Sequence, residues 1–302
     1  MPKQDIVVVG TSAGGVEALQ VLVAGLPADL QAAVFIVLHI GVGIDGLSYL
    51  PEILSKAGHL PAVRPKDGEP IKRGTIYVAP PDCHLLIKPE RVHLSHGPKE
   101  NRTRPAINPL FRSAALAYGA RVTGVILTGL LDDGVAGLAE IKRRGGIAMV
   151  EDPDTARYPS MPLNALKCVQ VDHVAPIPQI AALVTELTHS ERRGIEREEP
   201  MEKTPSQLTC PECRGPLSRE QQGKIVEYSC RVGHRYTPLA MENEHHDTVE
   251  RSLWSSVVAL EEAADISESL ASELGEKSLR EAGNKREQAA ILKKMLSDVP
   301  SE

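Results

Sequence analysis

The fold is decided by residues 5–15, DIVVVGTSAGG, in which a short β-branched run meets a glycine-rich turn. Residues 5–9 are typical of a buried strand, because β-branched side chains suit a pleated surface that is covered on both faces. Gly10 ends this strand, and the amphipathic spacing from Gly15 to about Leu26 predicts a helix. A strand that turns tightly into a helix is typical of an α/β fold with a parallel sheet.

Strand and helix patterns continue to alternate through the first 190 residues. Further strands are predicted at Ala33–His39, Thr75–Ala79, His84–Lys88, Arg91–Ser95, Val122–Thr128, Ile147–Glu151 and Val169–Val174. Further helices are predicted at Ile107–Tyr118, at Gly134–Arg144, from about Met161, and at Ile177–Thr188. The stretch 59–104 holds denser short strands, which indicate an antiparallel insertion or edge. We therefore expect a doubly wound, mostly parallel sheet with helices on both faces.

The composition excludes several classes of protein. Hydrophobic residues make up 42% and charged residues 25% of the 302 residues, the balance of a soluble globular chain. No apolar run approaches the roughly 18 residues of a membrane-spanning helix, and the N-terminus lacks a signal-peptide pattern. The net charge of −6 argues against nucleic-acid binding. Five cysteines, an odd number, favour a reducing compartment, so we expect a cytoplasmic protein.

The distribution of charge predicts the domain boundaries. Residues 1–190 carry 18 basic and 18 acidic side chains, whereas residues 191–302 carry 16 and 22. Residues 191–208 are charged, contain two prolines and lack apolar periodicity, as a linker does. The predicted parts are a catalytic domain (1–190), this linker (191–208), a Cys-rich unit (209–238) and a helical tail (239–302).

The turn at Gly10–Gly14 reads G-x-S-x-G, and Ser12 is the candidate nucleophile. A sharp strand-to-helix turn lifts a serine hydroxyl clear of the sheet, and the helix N-terminus offers N–H groups to a developing oxyanion. Two alternatives remain open. One is a plain glycine-rich turn. The other is a dinucleotide-binding loop, in which Ser12 would occupy the second glycine position of G-x-G-x-x-G.

A serine nucleophile needs a base and an acid that orients the base. His39 ends the second predicted strand, and Asp132 and Asp133 follow the strand VILT. If the three strands are parallel neighbours, these side chains and Ser12 meet at the carboxyl ends of the sheet, where open α/β sheets bind ligands. The sequence therefore predicts a Ser-His-Asp triad.

Each member of this set also has a structural interpretation. His39 could be a hydrogen-bonded histidine at a strand end. Asp132 or Asp133 could cap the helix that starts at Gly134. His84 is the competing base, although it opens a strand after a Pro-Pro turn, while His93 and His96 have the pattern of surface residues.

Residues 5 to about 189 resemble the catalytic domain of the CheB protein-glutamate methylesterases of bacterial chemotaxis. The stretches that carry the resemblance are VVVGTSAGGVEAL, VLHI, YVAPPDCHLL, RPAINPLFRSAA, GVILTGLLDDGVAGL and SMP. The resemblance implies Ser12 as nucleophile, His39 as base and Asp133, directly before Gly134, as the orienting acid. It implies no cofactor for catalysis, methylated chemoreceptor helices as substrate, and glutamine deamidation by the same acyl chemistry.

This chain departs from the family pattern in two places. The family commonly has Gly-Met-Gly before the catalytic aspartate, where this chain has Gly129-Leu130-Leu131. The backbone of Leu130 takes the family's oxyanion-hole position, together with Ala13 after the nucleophile. If the position of Leu131 requires a positive φ, a leucine there is strained. The receiver domain of the best-known members is missing from this sequence.

The Cys-rich unit predicts a structural zinc site. Cys210 and Cys213 form C-x₂-C, and Cys230 and His234 follow as C-x₃-H after 16 residues. Three thiolates and an imidazole close a tetrahedral Zn²⁺ shell, leaving no position for a reacting water. The predicted linker would keep this site apart from the Ser12 domain. The alternative is a redox or incidental C-x₂-C.

The helical tail carries an apolar stripe that includes Leu253, Val257, Leu260 and Ala264 at heptad spacing. Gly283-Asn284 is expected to break it into two helices. The stripe fits a helical hairpin, self-association as a coiled coil, or docking to a partner. Two functions therefore stand: an active methylesterase, or a signalling adaptor on a CheB-like domain whose esterase has lapsed.

Overall fold

The computed structural model describes residues 5–39, 48–189 and 201–297. They form two compact units, residues 1–241 and 242–302. The strands of the catalytic region are β1 (Ile6–Thr11), β2 (Ala33–Leu38), β3 (Ala62–Val63), β4 (Ile76–Val78), β5 (His84–Lys88), β6 (Arg91–Ser95), β7 (Val122–Ile126), β8 (Ile147–Glu151) and β9 (His173–Ala175). The helices of the same region are α1 (Gly15–Ala24), α2 (Leu50–Ala57), α3 (Ile107–Tyr118), α4 (Val135–Arg143), α5 (Ser160–Cys168) and α6 (Ile177–His189).

Seven of these strands form one parallel sheet in the order β3-β4-β2-β1-β7-β8-β9. The apolar side chains of α1, α2 and α6 cover one face, and those of α3, α4 and α5 cover the other. Alternate residues of β1 enter the two cores: Val7 and Val9 lie in one, Ile6 and Val8 in the other. The expected doubly wound α/β fold is confirmed, and β1 lies at its centre.

The stretch 59–104 is only partly antiparallel. Strands β5 and β6 form a separate antiparallel hairpin, as expected for an insertion. Strands β3 and β4, however, extend the parallel sheet beyond β2. They are two and three residues long, too short to show the apolar run that marks a parallel strand.

The Cys-rich unit is a four-stranded antiparallel sheet of β10 (Glu202–Thr209), β11 (Pro216–Gln222), β12 (Ile225–Cys230) and β13 (Arg235–Tyr236). Strand β10 occupies residues that the sequence pattern assigns to a linker, while residues 191–200 lie outside the described ranges. Its side chains are almost all exposed, so its backbone pairing with β11 leaves no apolar pattern in the sequence.

The helical tail contains α7 (Pro238–Ser269), α8 (Ala271–Leu274) and α9 (Glu276–Ser297). The expected break at Gly283-Asn284 is wrong, because α9 runs through it and the chain turns at Gly275, whose φ is 76°. Helices α7 and α9 run antiparallel: Ser278 Oγ donates to the Ser267 carbonyl at 2.7 Å, and Arg286 pairs with Asp265 at 2.9 Å. Among the helices of the described ranges, none is long and apolar enough to cross a membrane.

Candidate active site

Ser12, His39 and Asp133 follow three neighbouring strands of the sheet, as the sequence predicts. The backbone N–H of His39 donates to the Thr11 carbonyl at 3.2 Å, and that of Ser12 donates to the Thr128 carbonyl at 3.1 Å. The chain order reverses direction at β1, since β2 lies on one side and β7 on the other. The three residues therefore lie at the switch point, where doubly wound sheets open a crevice.

Glycine is required around Ser12 for steric reasons. Gly14 has a φ of 72°, and a Cβ on Gly15 would lie 2.5 Å from Leu38 Cδ1. A Cβ on Gly129 would lie 3.0 Å from the Cβ of Ser12. The backbone thus turns from β1 into the N-terminus of α1 within a few residues, with little room for larger side chains beside the hydroxyl.

Thr128 holds this turn in place. Its hydroxyl donates to the Ala13 carbonyl at 3.2 Å and accepts from the Tyr158 N–H at 2.8 Å. Its carbonyl accepts the Thr11 hydroxyl at 2.7 Å. The β7 end and the loop before α5 are therefore bonded directly to the loop that carries Ser12.

His39 and Asp133 form a hydrogen-bonded pair in which Asp133 is buried and His39 is partly buried. His39 Nε2 lies 2.9 Å from Asp133 Oδ2, and the same oxygen accepts the Ile107 N–H at 2.6 Å. Oδ1 accepts Asn101 Nδ2 at 3.0 Å and the Asn108 N–H at 3.3 Å. Burial alone would raise the pKa of Asp133, but the bond from His39 and these N–H donors hold it below its ordinary value.

Asp133 interacts with the N-terminus of α3, not with α4. Two of its donors are the first N–H groups of α3, which satisfy a carboxylate well because of the helix dipole. The free N–H groups of α4 are instead bonded by Asn108 Oδ1, at 3.1 Å to Gly134 and 2.8 Å to Gly137. The interpretation of Asp133 as a cap of the following helix is therefore wrong.

Asp132 points elsewhere and makes no hydrogen bond with His39 in the described part of the chain. Its Oδ1 accepts the Thr237 hydroxyl at 2.7 Å. Burial, together with the nearby Asp133 charge, raises the pKa of Asp132 to about 6 despite that bond. The adjacent aspartates thus have opposite pKa shifts.

His84 has a structural role, because both of its ring nitrogens make hydrogen bonds. It is buried, its Nε2 lies 2.9 Å from the Pro98 carbonyl and its Nδ1 accepts the Ala106 N–H at 3.3 Å. Burial lowers its pKa. His93 pairs with Asp67 at 2.8 Å, and His96 lies beside Cys83, with 3.4 Å between Nε2 and Sγ.

The two expected oxyanion donors lie beside the nucleophile turn. Among the described residues, the backbone N–H groups of Ala13 and Leu130 have no protein acceptor, and no hydrogen bond joins Ser12 Oγ to the His39 ring. Leu131 has a φ of 63°, so the left-handed conformation considered from the sequence is present. The Leu131 carbonyl accepts Asn164 Nδ2 at 2.8 Å.

The Cys-rich unit brings four potential metal ligands together. The ligand atoms of Cys210, Cys213, Cys230 and His234 lie within 4.8 Å of one another. Three of the separations are 3.7, 3.7 and 3.5 Å, close to the roughly 3.5–3.8 Å edges of a tetrahedron built with Zn–S of 2.3 Å and Zn–N of 2.0 Å. Burial raises the pKa of Cys230, but bonds from His234 and backbone N–H groups bring it down to about 7.

The expectation that this unit is separate from the Ser12 domain is wrong. The Asn101 N–H donates to the Arg235 carbonyl at 2.9 Å, and the Thr237 N–H donates to Asn101 Oδ1 at 2.9 Å. Because Thr237 also bonds Asp132, the end of the Cys-rich unit contacts both the residue that bonds Asp133 and the residue before Asp133 in the chain. Composition indicates a change of domain but carries no information on docking.

Three residues near the His39–Asp133 pair are not predicted from the sequence: Asn101, Thr103 and Thr237. Thr103 Oγ1 lies 3.4 Å from His39 Nε2, and Asn101 bonds Asp133 from the same short loop. Their only signal in the sequence is the polar run ENRT at 100–103 before the RPAINPLF stretch. Thr237 is 105 residues from its partner Asp132, a separation that periodicity does not detect.

Comparisons with known proteins agree with this geometry. The family model described as CheB methylesterase matches residues 7–184. A provisionally named protein-glutamate methylesterase/protein-glutamine glutaminase of Leptospira interrogans is 39% identical over 184 residues, which are 61% of this chain and 94% of that protein. Protein-glutamate methylesterase/protein-glutamine glutaminase 2 of Anaeromyxobacter dehalogenans is 36% identical over 61% of this chain and 53% of its own length.

A solved structure covers the same region. The crystal structure of the Thermotoga maritima CheB methylesterase catalytic domain superposes with a TM-score of 0.58 at 32% identity. The match takes in 62% of this chain and 99% of that one. With the parallel sheet, the Ser12 turn and the His39–Asp133 pair in place, these matches assign the chain to the CheB methylesterase family.

Proposed function

We propose that this protein is a serine hydrolase that demethylates glutamate γ-methyl esters on chemoreceptors. The observation that carries the proposal is the partly buried His39–Asp133 bond of 2.9 Å at the strand end next to Ser12. The names of the relatives support the same reaction and add glutamine deamidation.

The roles follow from the contacts. Because His39 Nε2 faces Asp133, its proton lies on that side and the Nδ1 lone pair is left to accept the Ser12 proton. Ser12 Oγ attacks the γ-carbonyl, and the N–H groups of Ala13 and Leu130 stabilise the oxyanion. His39 returns the proton as methanol leaves, and water then hydrolyses the acyl-enzyme by the same route. From glutamine, the same step releases ammonia.

Methanol release from a methylated chemoreceptor fragment tests this proposal. The wild-type chain should release methanol, and Ser12→Ala should abolish the release while keeping the circular dichroism spectrum. Mass spectrometry should find a fluorophosphonate adduct on Ser12 of the wild type. Release that is unaffected by Ser12→Ala contradicts the assignment.

A second candidate is a signalling adaptor with a weak esterase. The left-handed Leu131, two residues before Asp133, is the observation that favours it, because a strained residue beside the oxyanion donor disturbs that donor. An adaptor should bind receptors but leave Ser12 unlabelled by the fluorophosphonate. Labelling at a rate typical of activated serines favours the hydrolase.

We further propose that Cys210, Cys213, Cys230 and His234 hold one structural Zn²⁺. The donor set and its separations fit the ion, which would link the two turns of the Cys-rich unit and supply folding energy. Elemental analysis should find about one zinc per chain in the wild type. A metal-free protein with an intact Cys-rich unit would contradict this.

The remaining assignments rest on the sequence. Methylated receptor helices as partners, self-association or partner docking through α7 and α9, and a cytoplasmic location stay predictions. Gel filtration of the full chain tests self-association.

A further inference from the structure

Asn101 lies between the proposed metal unit and the proposed catalytic acid. It is buried, and three of its four hydrogen-bonding groups are used: Nδ2 on Asp133, Oδ1 on the Thr237 N–H, and its own N–H on the Arg235 carbonyl. One side of Asn101 therefore bonds the partner of His39, and the other side bonds the Cys-rich unit.

The backbone of this loop is held in an uncommon conformation. Asn101 and Arg102 have φ values of 48° and 68°. Asparagine adopts the left-handed region more readily than most residues, but consecutive left-handed residues need outside support. The support includes a bridge between Glu100 and Arg235, which places the loop alongside β13.

The path from the metal ligands to this loop is short. Strand β13 starts directly after His234, and Thr237 follows it. Tyr236, between them, is buried with its hydroxyl 3.5 Å from Cys210 Sγ. Only two residues, Arg235 and Tyr236, thus separate a proposed zinc ligand from the N–H that fixes Asn101.

A buried ion network fastens the same strand to the catalytic region. Arg112 of α3 pairs with Glu100 and, at 3.4 Å, with Glu227 of β12. Arg235 pairs with Glu227 at 2.8 Å and with Glu220 at 2.6 Å. Because the carboxylates of Glu100, Glu220 and Glu227 are buried, displacing β13 would deprive them of cationic partners, which is costly. The position of β13 is therefore set from both sides.

We propose that Asn101 is a positioning residue for Asp133 and that it depends on the metal-bound Cys-rich unit, so that zinc loading sets the reactivity of Ser12. The inference rests on the triad of the proposed function. Without the ion, the turn that carries Cys230 and His234 loses its link to the turn of Cys210 and Cys213, β13 shifts, and Asn101 releases Asp133 Oδ1. The imidazole of His39 is then less well oriented towards Ser12.

The first experiment removes the metal from the full chain. Cys213→Ser is compared with Cys168→Ser, which removes a thiol outside the ligand set. The readouts are zinc per chain and the kinetic constants kinact and KI for a fluorophosphonate that labels Ser12. Cys213→Ser should lose its zinc and lower kinact at least about tenfold with KI within about twofold, since misplacement of a catalytic group acts on the chemical step. Cys168→Ser should match the wild type in both readouts.

The second experiment keeps the metal and alters the hydrogen bond from Asn101 to Asp133. Asn101→Asp tolerates the left-handed backbone and can still accept the Thr237 N–H, but it cannot donate to Asp133. It should retain about one zinc per chain, lower kinact at least about tenfold, and move the acid limb of the kinact/KI profile to higher pH. A second carboxylate beside Asp133 stabilises the His39 imidazolium, whereas a purely structural loss would leave that limb in place. Asn284→Asp makes the same charge change at an exposed position of α9 and should leave both readouts unchanged.

The outcomes separate the two proposals. If Ser12→Ala leaves the labelling unchanged, the proposed triad fails and the positioning role fails with it. If Ser12 is labelled in the wild type but zinc-free Cys213→Ser reacts at the wild-type rate, the metal dependence is overturned while the triad stands. A wild-type rate and acid limb in Asn101→Asp would overturn the role of Asn101.

Discussion

At the level of the single residue, Asp132 and Asp133 are neighbours in the chain but have different roles. Asp133 bonds His39 and the start of α3, whereas Asp132 bonds Thr237. Asp133→Asn should lower the turnover of the esterase about 10³-fold or more, because an amide favours the wrong imidazole tautomer. Asp132→Asn should keep most activity, since its amide oxygen still accepts the Thr237 hydroxyl. Methanol release measures both, and equal losses would refute the assignment of the acid.

The raised pKa of Asp132 predicts a pH-dependent stability. Burial raises this pKa from 3.8 to about 6, so the folded state binds the proton more tightly than the unfolded chain. The resulting stabilisation is complete below pH 3.8 and is lost as the pH rises through 6. Relative to Asp132→Asn, the wild type should therefore lose up to about 3 kcal/mol of unfolding free energy between pH 4 and pH 8.

Urea unfolding at the two pH values measures this difference. Asp154→Asn makes the same chemical change at an exposed side chain and serves as the control. A gap between the wild type and Asp132→Asn that is the same at pH 4 and pH 8 would contradict the prediction.

The sequence pattern predicts the candidate residues that follow strands and gives little signal for those that reach the same region from loops. Ser12, His39 and Asp133 were expected together because parallel strands bring their carboxyl ends to one edge. Asn101 and Thr237 reach Asp133 and Asp132 through tertiary packing of an irregular loop and a helix start. Their contacts depend on how two sheets dock, which residue spacing does not encode.

At the level of the element, the turn after β7 contains a strained backbone conformation whose cost can be measured. Leu131 has a φ of 63°, a conformation that costs a non-glycine residue about 1–2 kcal/mol, whereas Leu130 is not left-handed. Leu131→Gly should therefore be about 1 kcal/mol more stable than Leu130→Gly, since only the first substitution relieves strain. Urea unfolding of the two variants measures the difference, and the reverse order would contradict it.

The helical hairpin of the tail offers a matched pair of substitutions. Val257 of α7 is buried, whereas the adjacent Val258 is 54% exposed. Val257→Asp should destabilise the hairpin by about 3 kcal/mol or more, because it places a charge in an apolar contact. Val258→Asp should change the stability by less than about 1 kcal/mol. Thermal melts followed by circular dichroism at 222 nm distinguish them, and equal melts would contradict the α7–α9 packing.

The helix boundaries of the tail illustrate the limit of local signals. Gly283 lies in the interior of α9, where a glycine costs only about 1 kcal/mol relative to alanine and packing can offset that cost. Gly275 ends α8 because its φ of 76° is one that other residues adopt with strain. The sequence contains both glycines in similar surroundings, and only tertiary packing distinguishes them.

At the level of the whole molecule, the α/β architecture was predictable and the docking of the Cys-rich sheet was not. The buried strands of the parallel sheet leave apolar runs in the sequence, and the alternation with helices gives the doubly wound order. The exposed β10 and the ion network among Arg112, Glu227 and Arg235 are polar. Polar stretches of this kind are typical of linkers, and so the sequence pattern divides a region whose described parts belong to one compact unit.

The ion network also affects whether the Cys-rich unit can be transplanted into other hydrolases. A chimera that joined residues 201–241 to a catalytic domain without Arg112 would keep Glu220 paired with Lys203 and Arg235, but would remove one of the two arginines that Glu227 contacts. Retaining the Arg112–Glu227 ion pair requires the catalytic half and the Cys-rich half to exchange together. The two halves of the first unit are therefore expected to be inherited, swapped or redesigned as a pair, with Arg112 as the position to check first in any recombinant.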